Sequence, residues 1–185
     1  MSTPVDSLKG QVLVAQPTLP DPNFSRSVVL VAHHDADGAL GLVLNRPSET
    51  TVAEAAPELA PLCGEGALVH EGGPVARRGV IVLAEFEQPE VAGLLVGGDL
   101  GLVGPDSDLE SLAPDLRRAR VFAGHSGWAP GQLDQEIEAE GWIVAPLARD
   151  DVFAAVTADL WRTVLARKGG RYALAARMPT DPSLN

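Results

Sequence analysis

Short apolar runs, rich in β-branched residues and closed by turn-forming residues, recur along the chain. Runs of this length and composition are typical of buried strands. They predict strands at residues 11–15, 27–33, 39–44, 79–84, 93–96, 120–123 and 142–145. Asp35-Ala36-Asp37-Gly38 has the chemistry of a tight turn, so we expect the second and third strands to pair as a hairpin.

Helical patterns are fewer and do not alternate regularly with the strands. They cover residues 51–59, 107–112 and 132–140, the last ended by Gly141 as its C′ residue. A final helix is predicted from a cap at Asp150 or Asp151 to the stop at Gly169-Gly170. Its apolar stripe is formed by Val152, Phe153, Val156, Leu160, Trp161, Val164 and Leu165. This arrangement predicts a mixed-sheet α+β fold, with the stripe in the core and one edge of it available to a homodimer.

Composition limits the kind of protein that this chain can be. Its 185 residues suit a single domain, residues 1–185, with about 1–8 and 178–185 loosely ordered. A net charge of −11 disfavours direct contact with a phosphate backbone. The densest basic group, Arg117, Arg118 and Arg120, has acidic neighbours at residues 106, 108, 110 and 115 that largely cancel it.

Cysteine content and hydropathy favour a cytoplasmic protein. Cys63 is the single cysteine, so neither an internal disulfide nor a cysteine metal cluster is possible. The first residues lack the pattern of a secretory signal, and no apolar stretch approaches the ~20 residues that cross a bilayer. We therefore expect a cytoplasmic location and no membrane partner.

Five segments, in this order and spacing, resemble the bacterial YqgE/AlgH family. They are Pro-Asp-Pro-Asn-Phe at 20–24 leading into Ser-Val-Val at 27–29, Gly-Leu-Val-Leu-Asn-Arg-Pro at 41–47, Gly-Gly-Pro-Val at 72–75, Gly-His-Ser-Gly-Trp-Ala-Pro-Gly-Gln-Leu at 124–133 and Leu-Trp-Arg at 160–162. The resemblance implies an α+β fold with a mixed, bifurcated sheet and a small barrel-like portion surrounded by helices. It implies no established activity and no catalytic residues. One branch of the family is labelled a transcriptional regulator, without a recognised DNA-binding motif.

The segment Gly124-His125-Ser126-Gly127-Trp128 invites comparison with the nucleophile elbow Gly-x-Ser-x-Gly. That turn needs a glycine two residues after the serine, and Trp128 occupies this position. We therefore expect no catalytic residues. The alternative is a serine hydrolase that uses Ser126, with His125 or His70 as the base.

The same segment supports a binding hypothesis. If residues 124–131 form a glycine-shaped bend, its free amides and the start of the helix at Gln132 would attract an anion, with Arg46 as a charge partner. The structural alternatives are an ion pair of Arg46 with Glu71 or Glu136, and loop amides satisfied by Gln132 or Glu136. The candidate binding residues are Asn45, Arg46, Gly72, Gly73, His125, Ser126, Gly127, Trp128, Gln132 and Glu136.

No metal or cofactor is expected. His33 and His34 are adjacent on a predicted strand and point to opposite faces, while Asp35 and Asp37 belong to the turn. The two lysines, at 9 and 168, follow no phosphate-binding frame, and residues 97–104 do not read Gly-x-Gly-x-x-Gly.

Three functions remain open from the sequence. The favoured one is a non-catalytic binding or regulatory protein of the bacterial cytoplasm that recognises an unknown small molecule or protein partner. The second is the hydrolase that uses Ser126. The third is a regulator that binds DNA directly, which the negative charge disfavours.

Overall fold

The structure is a computed structural model and describes residues 6–179. Ten strands in this range form one sheet. They are β1 (Gln11–Ala15), β2 (Val28–Asp35), β3 (Gly38–Val43), β4 (Pro47–Thr51), β5 (Leu68–Glu71), β6 (Val75–Phe86), β7 (Leu94–Gly97), β8 (Leu100–Leu102), β9 (Leu116–Trp128) and β10 (Trp142–Pro146). Every strand predicted from the apolar runs is present, and β2 and β3 form the expected antiparallel hairpin. The strand β4 was not predicted, because its polar sequence carries no apolar alternation.

Seven short α-helices within residues 6–179 surround the sheet. They are α1 (Val52–Ala55), α2 (Ala60–Cys63), α3 (Leu109–Leu112), α4 (Gln132–Glu138), α5 (Arg149–Phe153), α6 (Leu160–Lys168) and α7 (Arg171–Ala175). At the end of α4 the left-handed residue is Glu140, with φ 57°, so the prediction that Gly141 would be the C′ residue is wrong by one position. The amide of Gly141 donates to Glu136 O and that of Glu140 to Ile137 O, which is the Schellman pattern.

The prediction of one continuous last helix is wrong. The apolar stripe is divided between α5 and α6, and Val156, predicted to be in it, is 77% exposed in the connection. The carbonyl of Ala154, which would continue the helix, accepts a hydrogen bond from the Arg120 side chain. The other end of the stripe is in the core as predicted, since Trp161 is buried and its indole N–H donates to Ala15 O at 2.9 Å.

Strand β9 is where the sheet branches. The hydrogen-bonded order is β10-β1-β2-β3-β9-β6-β8-β7, and β5 joins β9 from the side while also pairing with β4. β5 runs parallel to β9, and the other pairings among residues 6–179 are antiparallel. The α+β fold with a mixed, bifurcated sheet is thus confirmed. The barrel-like portion corresponds to an open ladder, which ends at β10 and β7, and not to a closed barrel.

The core covers both faces of the central strands. Residues 12–15 of β1 and 28–32 of β2 are all buried, because helix α6 covers one face and α4 with its aromatic neighbours covers the other. A separate apolar cluster lies under α1 and α2, against β6 and β9. Strand β9 contributes to both of these regions, since Phe122 packs in the first and Val121 in the second.

Candidate functional site

The glycine-rich stretch after residue 123 is not a bend. Residues 124–128 continue β9, where Gly41 pairs with Ser126 and Ala39 with Trp128. Only residues 129–131 form a loop before α4 begins. Ser126 therefore does not lie in the strand, turn and helix context of a nucleophile elbow. The prediction that residues 124–131 form a bend with free amides is wrong.

Ser126 has a structural environment. Its side chain is fully buried, and its hydroxyl donates to the carbonyl oxygen of Gly72 at 3.2 Å. His70, one suggested base, instead donates from Nδ1 to Leu68 O at 3.1 Å. His125 precedes Ser126 in the strand and is in register with Val75. The hydrolase alternative has no support from this arrangement, because the hydroxyl is neither accessible nor joined to a base.

We expect Ser126 to be unreactive in the folded protein. A fluorophosphonate probe should give no adduct at Ser126, and Ser126→Ala should lower the free energy of unfolding by only about 1 kcal/mol, since one neutral hydrogen bond is lost. Intact-mass spectrometry and chemical denaturation measure the two quantities. An adduct that forms on the wild type and is absent from Ser126→Ala would refute this assignment.

Gly72 and Gly73 are needed because β5 and the chain after it approach β9 closely. A Cβ at Gly72 would lie 2.3 Å from Gly124 O, and one at Gly73 would lie 2.3 Å from the carbonyl carbon of His125. Gly73 also has φ 154°, which L-residues rarely adopt. The lack of a side chain at both positions therefore allows the loop after β5 to lie against the backbone of residues 124–126.

Three other candidates, Trp128, Gln132 and Glu136, form a structural cluster beneath α4. The Glu136 carboxylate accepts the indole N–H groups of Trp128, at 3.0 Å, and Trp142, at 2.8 Å, and also the amide of Gln132 at 2.9 Å. Phe24 completes the cluster against both indole rings. Gln132 also accepts from the Ala129 amide, which confirms the prediction that it satisfies the loop.

The predicted anion site at the start of α4 is not formed. The helix has only seven residues, the Ala129 amide is already bonded to Gln132, and Gly127, though exposed, is part of β9. Arg46 lies elsewhere, so it does not complete such a site. Its guanidinium donates to Ser25 O at 3.0 Å and to Pro22 O at 3.5 Å.

Arg46 does not have either of the ion-pairing roles considered above. Within residues 6–179 it forms no salt bridge with Glu71 or Glu136. Asn45 next to it is structural, since its side chain accepts from Val28 N and donates to Arg26 O, both at 2.9 Å. Arg46 is therefore held by backbone carbonyl oxygens and not by a carboxylate.

A cleft of about 300 Å³ brings together two of the candidates, Arg46 and Gly73. We call it the arginine cleft. Its remaining lining is Asn23, Val43, Ser48, Thr50, Ala55, Val69, Glu71, Pro74, Arg77, Val80 and Ala123. Strands β4, β5, β9 and β6 form its floor, and the other candidates lie outside it.

Arg77 and Val80 were missed from the sequence. Arg77 lies in a bulge of β6 and Val80 lies at its end, since pairing with β9 is interrupted between Val75 and Val80 and Ala76 adopts φ 49°. Val75 and Val80 are 42% and 58% exposed, although both belong to a strand. The pair Arg77-Arg78 beside Gly79, after an apolar residue, was the available signal of this bulge.

Arg117 and Arg118, two of the three arginines in the basic group at residues 117–120, are neutralised, but by other residues than their sequence neighbours. Arg118 makes a two-point contact with Glu85, with N–O distances of 2.7 and 2.9 Å. Arg117 pairs with Asp99 and Glu87. Arg149 joins the network by contacting Glu85 and Asp99. The Arg118 and Arg149 side chains hold the pKa of Glu85 at about 2, against the opposing effect of its burial.

The metal-like pattern at residues 33–37 is also structural. His33 pairs with Asp35 at 2.8 Å on the exposed side, whereas His34 is buried and accepts from the Leu8 amide at 3.1 Å. Asp35 also accepts from the Asp37 amide, as the turn requires. Ser7 and Leu8 are thus attached to β2, since Ser7 donates to His34 O. Of the predicted loose termini, about 1–8 and 178–185, residues 1–5 and 180–185 lie outside the described residues.

The fold and the site define a class of α+β protein with one branched sheet, a buried structural serine and an open cleft carrying arginine side chains. The AlgH-like family model matches residues 12–173, and the chain belongs to that family. The UPF0301 protein of Streptomyces coelicolor is 43% identical, with 99% of this chain and 98% of the relative covered. That of Thermobifida fusca is also 43% identical, with 97% and 96% covered.

Two solved structures have the same fold. The crystal structure of a Corynebacterium diphtheriae protein superposes with a TM-score of 0.81 at 31% identity, and covers 96% of this chain and 95% of that one. The solution structure of the AlgH protein from Pseudomonas aeruginosa gives a TM-score of 0.68 at 26% identity, with 98% and 99% covered. None of the helices in residues 6–179 is long and apolar enough to cross a membrane.

Proposed function

We propose that the protein is a non-catalytic binding protein of the bacterial cytoplasm, which recognises an acidic segment of a protein partner in the arginine cleft. One observation carries the proposal. Two guanidinium groups, of Arg46 and Arg77, line an open cleft with an apolar floor, in a chain whose net charge is −11. Within residues 6–179 neither guanidinium forms a salt bridge.

The apolar floor favours a peptide over an inorganic anion. Val43, Val69 and Ala123 offer a surface for one or two small apolar side chains, and the exposed Val80 extends it. An exposed apolar patch with a polar rim is typical of protein recognition sites. Glu71 is the one carboxylate in the lining, and it would repel a second negative charge near β5. The favoured segment therefore has an acidic residue next to apolar ones.

Regulation through a protein partner requires no contact with DNA. The net charge of −11 supports this form of the proposal, because electrostatic repulsion opposes binding to a phosphate backbone. The ion pairs that neutralise Arg117 and Arg118 support it as well. The proposal includes no reaction, since the buried Ser126 hydroxyl is bonded to Gly72 O and no base.

Selection from a random peptide display library tests the proposal. We expect the bound peptides to be enriched in Asp or Glu beside Val, Leu or Ile. The affinity of a selected peptide should fall roughly tenfold or more in Arg46→Gln and in Arg77→Gln, because each removes a charge-assisted contact. Isothermal titration calorimetry measures the dissociation constants.

The matched control is Arg78→Gln, which removes the same charge from the same exposed bulge but from outside the cleft lining. We expect its affinity to remain within about twofold of the wild type, because an exposed charge that makes no direct contact contributes little. Peptides without acidic enrichment, or equal losses in Arg77→Gln and Arg78→Gln, would contradict the proposal.

A further inference from the structure

A second and larger cavity, of about 570 Å³, lies on the opposite side of β5 from the arginine cleft. The side chains of β5 point alternately to the two sites, since Val69 and Glu71 line the cleft while Leu68 and His70 line the cavity. The cavity lies between β5 and β9, the turn after α2 and the connection between α5 and α6. We call it the Arg120 cavity, and it was not foreseen from the sequence.

Arg120 is the cation of this cavity, and the one carboxylate in the lining, that of the exposed Glu65, does not pair with it. One terminal nitrogen of its guanidinium donates to Ala154 O, and the other lies 3.4 Å from His70 Nε2. Within residues 6–179 it forms no salt bridge. Burial lowers the pKa of Arg120, but a guanidinium remains charged at neutral pH. A largely buried cation without a carboxylate is costly, and an anionic ligand would supply the missing counter-charge.

His70 contributes hydrogen bonding without charge. Its side chain is buried, and Nδ1 donates to Leu68 O at 3.1 Å, so Nε2 is the acceptor that faces Arg120. Burial, assisted by the Arg120 charge, lowers the pKa of His70 to about 4. The ring is therefore neutral at pH 7, and it orients Arg120 without adding a second positive charge. The cavity thus matches a ligand with one negative charge.

The remaining lining is mostly apolar, with Thr157 as a further polar side chain. Val52, Val121 and Phe153 are among the apolar residues that surround the guanidinium. Burial raises the pKa of the Cys63 thiol to about 11, so the thiolate that nucleophilic chemistry requires is not formed at neutral pH. The cavity is therefore suited to holding a ligand and not to converting it. Its volume lies in the range of sites for small organic molecules.

We propose that the Arg120 cavity binds a small monocarboxylic acid with an apolar body, whose carboxylate pairs with the Arg120 guanidinium. A planar guanidinium matches a carboxylate with two parallel hydrogen bonds. A phosphate dianion fits less well, because one cation and a neutral imidazole leave much of its charge unbalanced in an apolar site. This inference does not rest on the binding of an acidic peptide in the arginine cleft, which is a separate site.

Defined probes test the assignment on the whole chain. Butyrate, hexanoate, octanoate and benzoate are titrated against the protein, with the matched primary alcohols and inorganic phosphate as comparison ligands, and binding is followed by ligand-observed and protein NMR. We expect the best carboxylate to bind at least roughly tenfold more tightly than its alcohol, a factor that corresponds to about 1.4 kcal/mol. Backbone amides of residues 64–70 and 154–158 should shift.

Two variants separate loss of binding from loss of folding. Arg120→Gln should lower carboxylate affinity by at least roughly tenfold. Ala155→Trp places a large ring at the exposed mouth of the cavity and retains Arg120, and it should abolish binding in a folded protein. Arg46→Gln, in the other cleft, should bind the carboxylate as the wild type does.

Three results would overturn the assignment. They are carboxylates that bind no better than their alcohols, phosphate that binds more tightly than every carboxylate, and undiminished carboxylate binding in folded Arg120→Gln or Ala155→Trp. A failure of peptide selection at the arginine cleft would leave this inference unaffected, because Arg46→Gln separates the two sites.

Discussion

Gly72→Ala should lower the free energy of unfolding by about 4 kcal/mol, the largest effect that we expect from a single substitution. The added methyl carbon would lie 2.3 Å from Gly124 O, a backbone atom that cannot rotate away. Gly72 also joins three strands, since its amide donates to Ala123 O and its carbonyl accepts from Val43 N and Ser126 Oγ. Separating these strands to admit the methyl group would break the junction at which the sheet branches.

Thermal unfolding followed by circular dichroism measures this effect, and we expect Tm to fall by roughly 10 °C or more. The control is Gly97→Ala at the end of β7, where an added Cβ meets no atom within 4 Å. Its Tm should change by no more than roughly 2 °C, because no close backbone approach is disturbed. If the two variants unfold at the same temperature, close packing at Gly72 is not a constraint on the fold.

Glu136→Ala should lower the free energy of unfolding by about 3 kcal/mol. The Glu136 carboxylate accepts hydrogen bonds from the indole N–H groups of Trp128 and Trp142, which are 7% and 4% exposed. Its removal leaves two largely buried donors without a partner, and each unsatisfied donor costs about 1–3 kcal/mol. Chemical denaturation gives the free energy, and tryptophan fluorescence reports whether the cluster has opened.

Two control variants separate the carboxylate contacts from general effects of substitution in α4. Glu138→Ala removes an exposed carboxylate from the same helix, and we expect a change of no more than about 0.5 kcal/mol. Glu136→Gln keeps an oxygen that can accept from both indole N–H groups, which share Oε2 in the wild type, but it loses the negative charge and should lose roughly half as much stability as Glu136→Ala. Equal stability of Glu136→Ala and Glu138→Ala would show that the two indole contacts do not stabilise the protein.

The parts of the fold that the sequence predicted well are those determined by local pattern. Residues 11–15 form a strand with the predicted bounds, and the turn at Asp35-Gly38 joins β2 and β3 as expected. Turn-forming residues and an apolar run are sufficient to predict such elements, because the local conformational preference of the residues and the burial of their side chains favour the same conformation.

The errors came from contacts between distant residues. Glycines 124 and 127 favour a bend when considered alone, yet pairing with β3 and β6 keeps residues 124–128 in strand β9. The periodicity from Val152 to Leu165 favours one helix, but the side chain of Arg120 binds the Ala154 carbonyl between α5 and α6. Neither partner is recognisable from the local sequence, so tertiary contacts overrode the local preference.

The site was predicted only in part for the same reason. Arg46 and Gly73 were among the candidates and do line the arginine cleft, whereas Trp128, Gln132 and Glu136 serve the core beneath α4. The cleft also needs Arg77, which a bulge in β6 carries to its edge. The position of a bulge depends on the partner strand, and a single sequence does not contain that information.

Chemical-shift mapping with a peptide selected on the protein is the most direct measurement of the central claim, that the arginine cleft is the binding site. In a titration of isotope-labelled protein we expect the largest backbone amide shifts at residues 46, 71, 73, 77 and 80, and the same peptide should cause none of them in Arg77→Gln. Shifts that cluster elsewhere on the molecule, or that persist unchanged in Arg77→Gln, would contradict the account.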